Sequence, residues 1–263
     1  MTADRATPLG VALAGEATAG YRAFVNGRTA AFGAAVGQLE AELQDGDLDA
    51  ARSDELAAQS AYDGFRELEN GNTVMASLLD EQVTDVGPDQ TFAGLHAVEQ
   101  DLWSPVPADA PAAALTDTGS LVAQAPVVAY LLAREQLAPA TIGTTAVDQL
   151  GWVNDVGVRE EAEPYSHLDA VDIAATASAA RSAFLCIQPL ARSIAPALTA
   201  SVADHFAMLT AQVGALGPPL LRPDDTLSVA TRRDLAQQVN GTAGLLAQLS
   251  ALLVPYGVTP TSS

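Results

Sequence analysis

The sequence predicts an all-α protein, two antiparallel four-helix bundles in tandem, and three observations carry that expectation. Apolar residues recur at helical spacing through most of the 263 residues. Strand signals are nearly absent, with no sustained apolar–polar alternation and no Asn-Gly turn between β-branched runs. One stretch, 105–118, is rich in Pro, Ala and Asp, lacks periodicity and reads as the connection between two halves. The expected division is an extended or disordered N-terminus over 1–17, a first bundle with its linker over 18–118, a second bundle over 119–255 and a tail over 256–263.

A first helix is expected over 20–43, where GYRAFVNGRTAAFGAAVGQLEAEL keeps an apolar stripe up to the Asp45-Gly46-Asp47 stop. A second runs over 48–69 to Asn70-Gly71-Asn72, and a third covers 73–85 with Val74, Leu78 and Leu79 inward. Pro88-Asp89 opens a fourth, which Pro105 ends. A fifth is expected over 121–137 and, after the loop APATIGTT, a sixth over 147–157. Ser166 and Asp169 have the spacing of a capping box, so a seventh starts there with His167 in its first turn. It runs to about Pro189, with Leu168, Val171, Ala175, Phe184 and Ile187 inward. The last two are expected over 196–216 and 226–253.

Composition narrows the functional classes. Asp plus Glu number 32 against 12 basic residues, all of them arginine, for a formal charge of -20. Such a surface repels phosphate backbones and draws in cations, which argues against nucleic acid and anionic membrane as partners. No segment reaches the ~18 consecutive apolar residues of a membrane span. The single cysteine, Cys186, lies in the apolar run AFLCIQPL and reads as a small buried hydrophobe, so no disulfide and no cysteine-based zinc or iron–sulfur site is expected. The opening MTADRATPLGVALAGEATAG has no adequate basic leader. The expectation is therefore either a cytoplasmic protein or the mature part of an exported one.

The stretch TFAGLHAVEQDLW carries the chemistry. On a helix, His96 and Glu99 fall inside the arc of Phe92, Leu95, Leu102 and Trp103, so an imidazole and a carboxylate face the core. Burying even neutral polar groups unpartnered costs about 2–7 kcal/mol, so something must meet them. One solution is a neighbouring helix that offers a hydroxyl, a carbonyl or an arginine and makes a satisfied structural pair. The other is a cation, because side chains at i and i+3 project together as in the paired ligands of bundle metal sites. His nitrogen with carboxylate oxygen suits iron, zinc or manganese without choosing among them. A peptidase reading lacks its chemistry: the three histidines form no His-Glu-x-x-His, and no Gly-x-Ser-x-Gly or P-loop is present. His205 has no partner motif and reads as structural, while Tyr62 and Tyr165 read first as packing residues.

TFAGLHAVEQDLW resembles the GFHxxExxLW signature of the imelysin-like family, in particular its EfeO/EfeM-type branch. SAYDGFRELE and SLLDEQVTD before it, and EEAEPYSHLD after it, resemble further stretches of that branch in the same order, so the likeness covers nearly the whole chain. The resemblance implies two four-helix bundles with a cleft between them, in a periplasmic or lipid-anchored protein. It implies that this protein binds iron or another metal ion (zinc, calcium or copper being the alternatives) alongside an EfeU-type permease and an EfeB-type peroxidase. Carried over, the ligands are His96 and Glu99, the upstream acids Asp63 and Asp80, and a later carboxylate at Glu161 with Glu160 and Glu163 as register alternatives. Ser166-His167 is the SH of the last motif.

There is one departure. The residue three after Asp63 is Arg66 where the family has a second carboxylate, and a guanidinium cannot ligate a cation. Either Glu67 or Glu69 substitutes, or metal is bound weakly, or Arg66 turns the pocket toward an anionic ligand. Two other readings follow: a calcium-assisted binding protein for an anionic polysaccharide, with Arg66 and Arg159 as first contacts, or a helical scaffold whose metal site is degenerate. Convergence of the acids on His96 would favour metal, and Arg66 pairing with two of them would favour the scaffold.

Overall fold

The computed structural model describes residues 7–69, 78–81, 83, 86, 92–103, 110–155, 157–159, 163–216 and 227–257. Among the described residues there are eight α-helices and no strand, an all-α fold as the periodicity predicts, and the third expected helix, over 73–85, falls mostly outside the described residues. They are α1 (Pro8–Asp45), α2 (Leu48–Asp63), α3 (Leu95–Trp103), α4 (Ala110–Leu132), α5 (Pro139–Asp155), α6 (Asp169–Ile194), α7 (Pro196–Gly214) and α8 (Val229–Leu253). A 3-10 turn, Arg66–Glu69, follows α2. Helices α1, α2, α3 and α4 pack in a closed ring, and α5, α6, α7 and α8 pack in a second. The rings meet where α6 lies along α1 and α2.

Several boundaries differ from expectation, each for a local reason. The N-terminal segment is helical from Pro8, because Thr7 Oγ1 caps the Gly10 amide and Ala14 and Ala17 are buried. Residues 110–118 are the first turns of α4 rather than linker. Ala114, Thr118, Leu121, Ala125, Val128 and Leu132 continue one buried stripe, and its small and polar members hid the period. The loop APATIGTT is the start of α5, whose Gly143 lets α8 approach so closely that a Cβ there would meet Ser250 Oγ at 2.2 Å. Beyond Pro189, α6 continues to Ile194 because Leu190 and Ala191 are buried. Leu79 is buried as expected, but Leu78 is 40% exposed, and Val74 lies outside the described residues.

The start of α6 matters most for the site. No capping box forms: the helix begins at Asp169, with Leu168 at the cap and no side-chain capping bond. The inward arc is then Asp169, Asp172, Ile173 and Thr176. Val171 and Ala175, expected inward, instead line a cavity of about 320 Å³ with Phe24, Arg28 and Ser60. Helix α6 is long and apolar enough to cross a membrane by length and composition, yet it packs against α1, α2, α5 and α7 and carries buried acids.

Candidate metal centre

Three segments bring a chain of alternating charges together. Asp63 ends α2, Arg66 opens the 3-10 turn, Asp80 lies on the short stretch before α3, and His96 and Glu99 sit one turn apart on α3. Arg66 Nη2 bonds Asp63 Oδ1, and Arg66 Nε is 3.7 Å from Asp80 Oδ2. His96 Nε2 is 3.1 Å from Asp80 Oδ1, and His96 Nδ1 is 3.2 Å from Glu99 Oε2. Gly94, at φ 92°, admits the Leu79–Asp80 backbone against the start of α3, where a Cβ would lie 2.7 Å from Leu79 O.

The second ring closes the site from the other side. Residues 163–168 form a tight turn in which His167 N–H bonds Glu163 O and His167 takes φ 58°. This turn aims the Tyr165 and Ser166 amides at Glu99 Oε1, 3.1 and 2.7 Å away. Consecutive N–H groups pointed at one carboxylate hold it ionised. Glu163 is buried in the same turn and accepts a 3.4 Å bond from Ser166 Oγ, and its Oε1 meets no hydrogen-bond donor among the described residues. His96, Glu99 and Glu163 each offer an atom within 4.8 Å of the other two.

The surrounding acids outnumber the cations. Glu55, Asp63, Glu99, Glu163 and Asp172 are buried; among the described residues neither oxygen of Glu55 meets a hydrogen-bond donor, and Asp172 faces the other acids Glu163 and Asp63. Burial, reinforced by Glu99, pushes the Glu55 carboxyl well up, and burial with Asp172 and Glu99 does the same for Glu163. Burial and Asp63 push Asp172 up as well. Asp63 is raised only to about 6, since burial is opposed by Arg66. Burial would also raise Asp80 and Glu99, but Arg66 and His96 outweigh it for the first, and His96 and the Ser166 amide for the second, so both lie low. Burial disfavours the imidazolium, yet hydrogen bonds to Asp80 and Glu99 lift His96 to about 10.

Of the residues expected as ligands, His96, Glu99, Asp63 and Asp80 are brought together, with Asp80 only 19% exposed rather than solvated. Glu161, the expected ligand, and Glu160 lie outside the described residues; among the described residues the register alternative Glu163 lies beside Glu99. Asp63 and Asp80 both carry Arg66, the arrangement expected of a scaffold, whereas His96, Glu99 and Glu163 form the arrangement expected of a metal site. Arg66 is buried against its own acids, so it is no first contact for an anionic polymer. Glu67 lies near enough to Tyr21 to help raise its hydroxyl. His167 is exposed and joins no ligand set.

Two members were missed, although the sequence held their signals. Glu55, Gln59 and Asp63 stand at i, i+4 and i+8 and form one buried stripe of α2, with Gln59 Nε2 donating to Asp63 Oδ1 at 3.4 Å. Asp172 was hidden by the expected inward arc of α6, which holds at Leu168, Phe184 and Ile187 but not at Val171 and Ala175. The donor set of one imidazole, several carboxylates and orphaned carboxylate oxygens fits a hard or borderline divalent ion.

A family model described as Imelysin matches residues 17–249. No curated protein matches the chain.

Proposed function

The chain belongs to the imelysin family, and from that membership and the geometry around His96 we propose that it is a non-catalytic metal-binding protein serving iron uptake outside the cytoplasm. The observation that carries the reading is the buried convergence of His96, Glu99 and Glu163. Buried carboxylates without a counter-charge must either keep protons or hold a cation. His96, Glu99 and Glu163 would hold the ion, with Glu55 close by. The ion would take the place of the proton His96 holds against Glu99 and add positive charge among the acids around Glu163, and the chain's own residues do the rest. The Tyr165 and Ser166 amides orient Glu99, Asp80 orients His96 through its other ring nitrogen, and the two helix rings exclude water.

A binding role fits better than peptide hydrolysis, for which the chain has no His-Glu-x-x-His and no base placed beside two histidine ligands. The expected ion is iron, with zinc, calcium or copper as alternatives, and the expected partners are a permease and a peroxidase of the EfeU and EfeB types. Calorimetry of chelator-stripped protein with Fe²⁺ or Zn²⁺ is expected to give one tightly bound equivalent. Combined His96→Ala and Glu99→Ala substitution should remove it while the helical circular dichroism persists. No binding by the intact protein ends the reading, and recovery of the native protein in the cytoplasmic fraction ends its placement outside the cell.

A further inference from the structure

The chamber already contains a permanent cation that the chain supplies, Arg66. The Arg66 side chain is 10% exposed and is held from three directions. Asp63 pairs with it from α2, Asp80 from the segment before α3, and Trp152 of α5 lies beneath its guanidinium at 3.9 Å from Cζ to ring centroid. Tyr62 adds a second aromatic face at 5.2 Å. A guanidinium is permanently charged and has no lone pair for a metal, and here it is held by a hydrogen bond to Asp63 and a longer ion pair with Asp80. An ion entering between Asp63 and Asp80 would stand against that charge.

We propose that Arg66 is a tethered cation that fills the Asp63–Asp80 half of the acidic chamber, so that an exogenous ion is taken only at the His96–Glu99–Glu163 half. The proposal deepens the metal-binding reading and rests on it for the ion at Glu163; the Arg66 half stands on its own contacts. Asp80 divides the two halves, giving Oδ2 to Arg66 and Oδ1 to His96. Arg66 is thus a residue that sets ion number, and through Trp152 it fastens the first helix ring to the second.

The test titrates chelator-stripped protein with Mn²⁺, counting free ion by electron paramagnetic resonance. Wild type is expected to bind one equivalent. Arg66→Met should bind two, the second disappearing when Asp63→Asn is added, and Arg66→Lys should bind one. A folded Arg66→Met protein that still binds the wild-type number overturns the proposal. If wild type binds none while Arg66→Met gains one equivalent through Asp63, the tethered cation stands and the metal-binding reading falls. If Arg66→Met does not fold, Arg66→Ala is refolded in chelator with millimolar methylguanidinium. Recovery of the helical signal and of cooperative melting supports a cation requirement, and no recovery overturns it.

Discussion

Asp63 and Glu163 are both buried acids in one chamber, yet their surroundings have opposite consequences. Asp63 has a guanidinium fixed to it and stays near 6. Glu163 faces Asp172, Glu99 and Glu55, and its carboxyl is driven well up. The first half is neutralised by the chain itself. The second is left to protons or to an ion from outside. Equal burial therefore does not make equal sites: what decides is whether the nearest countercharge is covalently part of the protein.

The sharpest way to break this contrast is to neutralise each acid in turn. Asp63→Asn removes one of the two carboxylates paired with a buried guanidinium and should cost about 3–5 kcal/mol in urea unfolding of the metal-free protein. Glu163→Gln removes an acid among acids and should leave metal-free stability at neutral pH unchanged or raised. Its effect should fall on the ion: affinity weaker by about 10–100-fold in calorimetry, or about 1.4–2.7 kcal/mol. If both substitutions destabilise the metal-free protein equally, the two halves do not differ as described.

A pH series sharpens the same contrast. Glu55, Glu163 and Asp172 keep protons in the folded state at pH values where the unfolded chain, at the ordinary 4.5 and 3.8, has released them. Folded stability is therefore lost as pH rises above those values. His96 acts in the same direction, contributing in full below its ordinary 6.5 and losing that contribution as pH rises through about 10. Asp80 and Glu99, held low, lose theirs only as pH falls below the ordinary carboxylate range. Metal-free protein should thus be less stable at pH 8 than at pH 5, by about 1–3 kcal/mol in chemical unfolding. Saturating Zn²⁺ should erase the difference, because an ion replaces the missing protons.

The smallest expected effect lies at the seam. Trp152→Leu removes the aromatic face under Arg66 and should cost about 1–2 kcal/mol of stability, with ion affinity at the Glu163 half unchanged in calorimetry. A large loss of affinity would show that the halves are coupled rather than separate.

Much of this was legible in the chain. The stripe at Leu95, His96, Glu99 and Leu102 announces an imidazole and a carboxylate facing a core, and the structure buries all four. Asp63 and Asp80 came with that stripe only through the family resemblance, with Arg66 as its departure, and the stops at Gly46 and after Trp103 were readable. Alanine-rich turns were less so. The beginning of α4 and the PATIGTT turn of α5 carry small residues whose burial leaves little periodic contrast. At α6 the helix starts three residues later than its apparent cap, and its first turns bury Asp172 while half-buried Val171 lines the cavity beside Arg28.

The sequence by itself determined that this chain is helical, strongly acidic, and committed to placing His96 and Glu99 on a buried face. Those properties follow from side-chain chemistry read at a local period of 3.6 residues, which needs no knowledge of distant segments. Only the tertiary structure decided which acid has which partner: Arg66 with Asp63 and Asp80, and Glu163 with His96 and Glu99 across 67 positions of chain from His96 to Glu163. Pairing depends on distance in space and on exclusion of water, and neither is encoded in the spacing of residues along one helix.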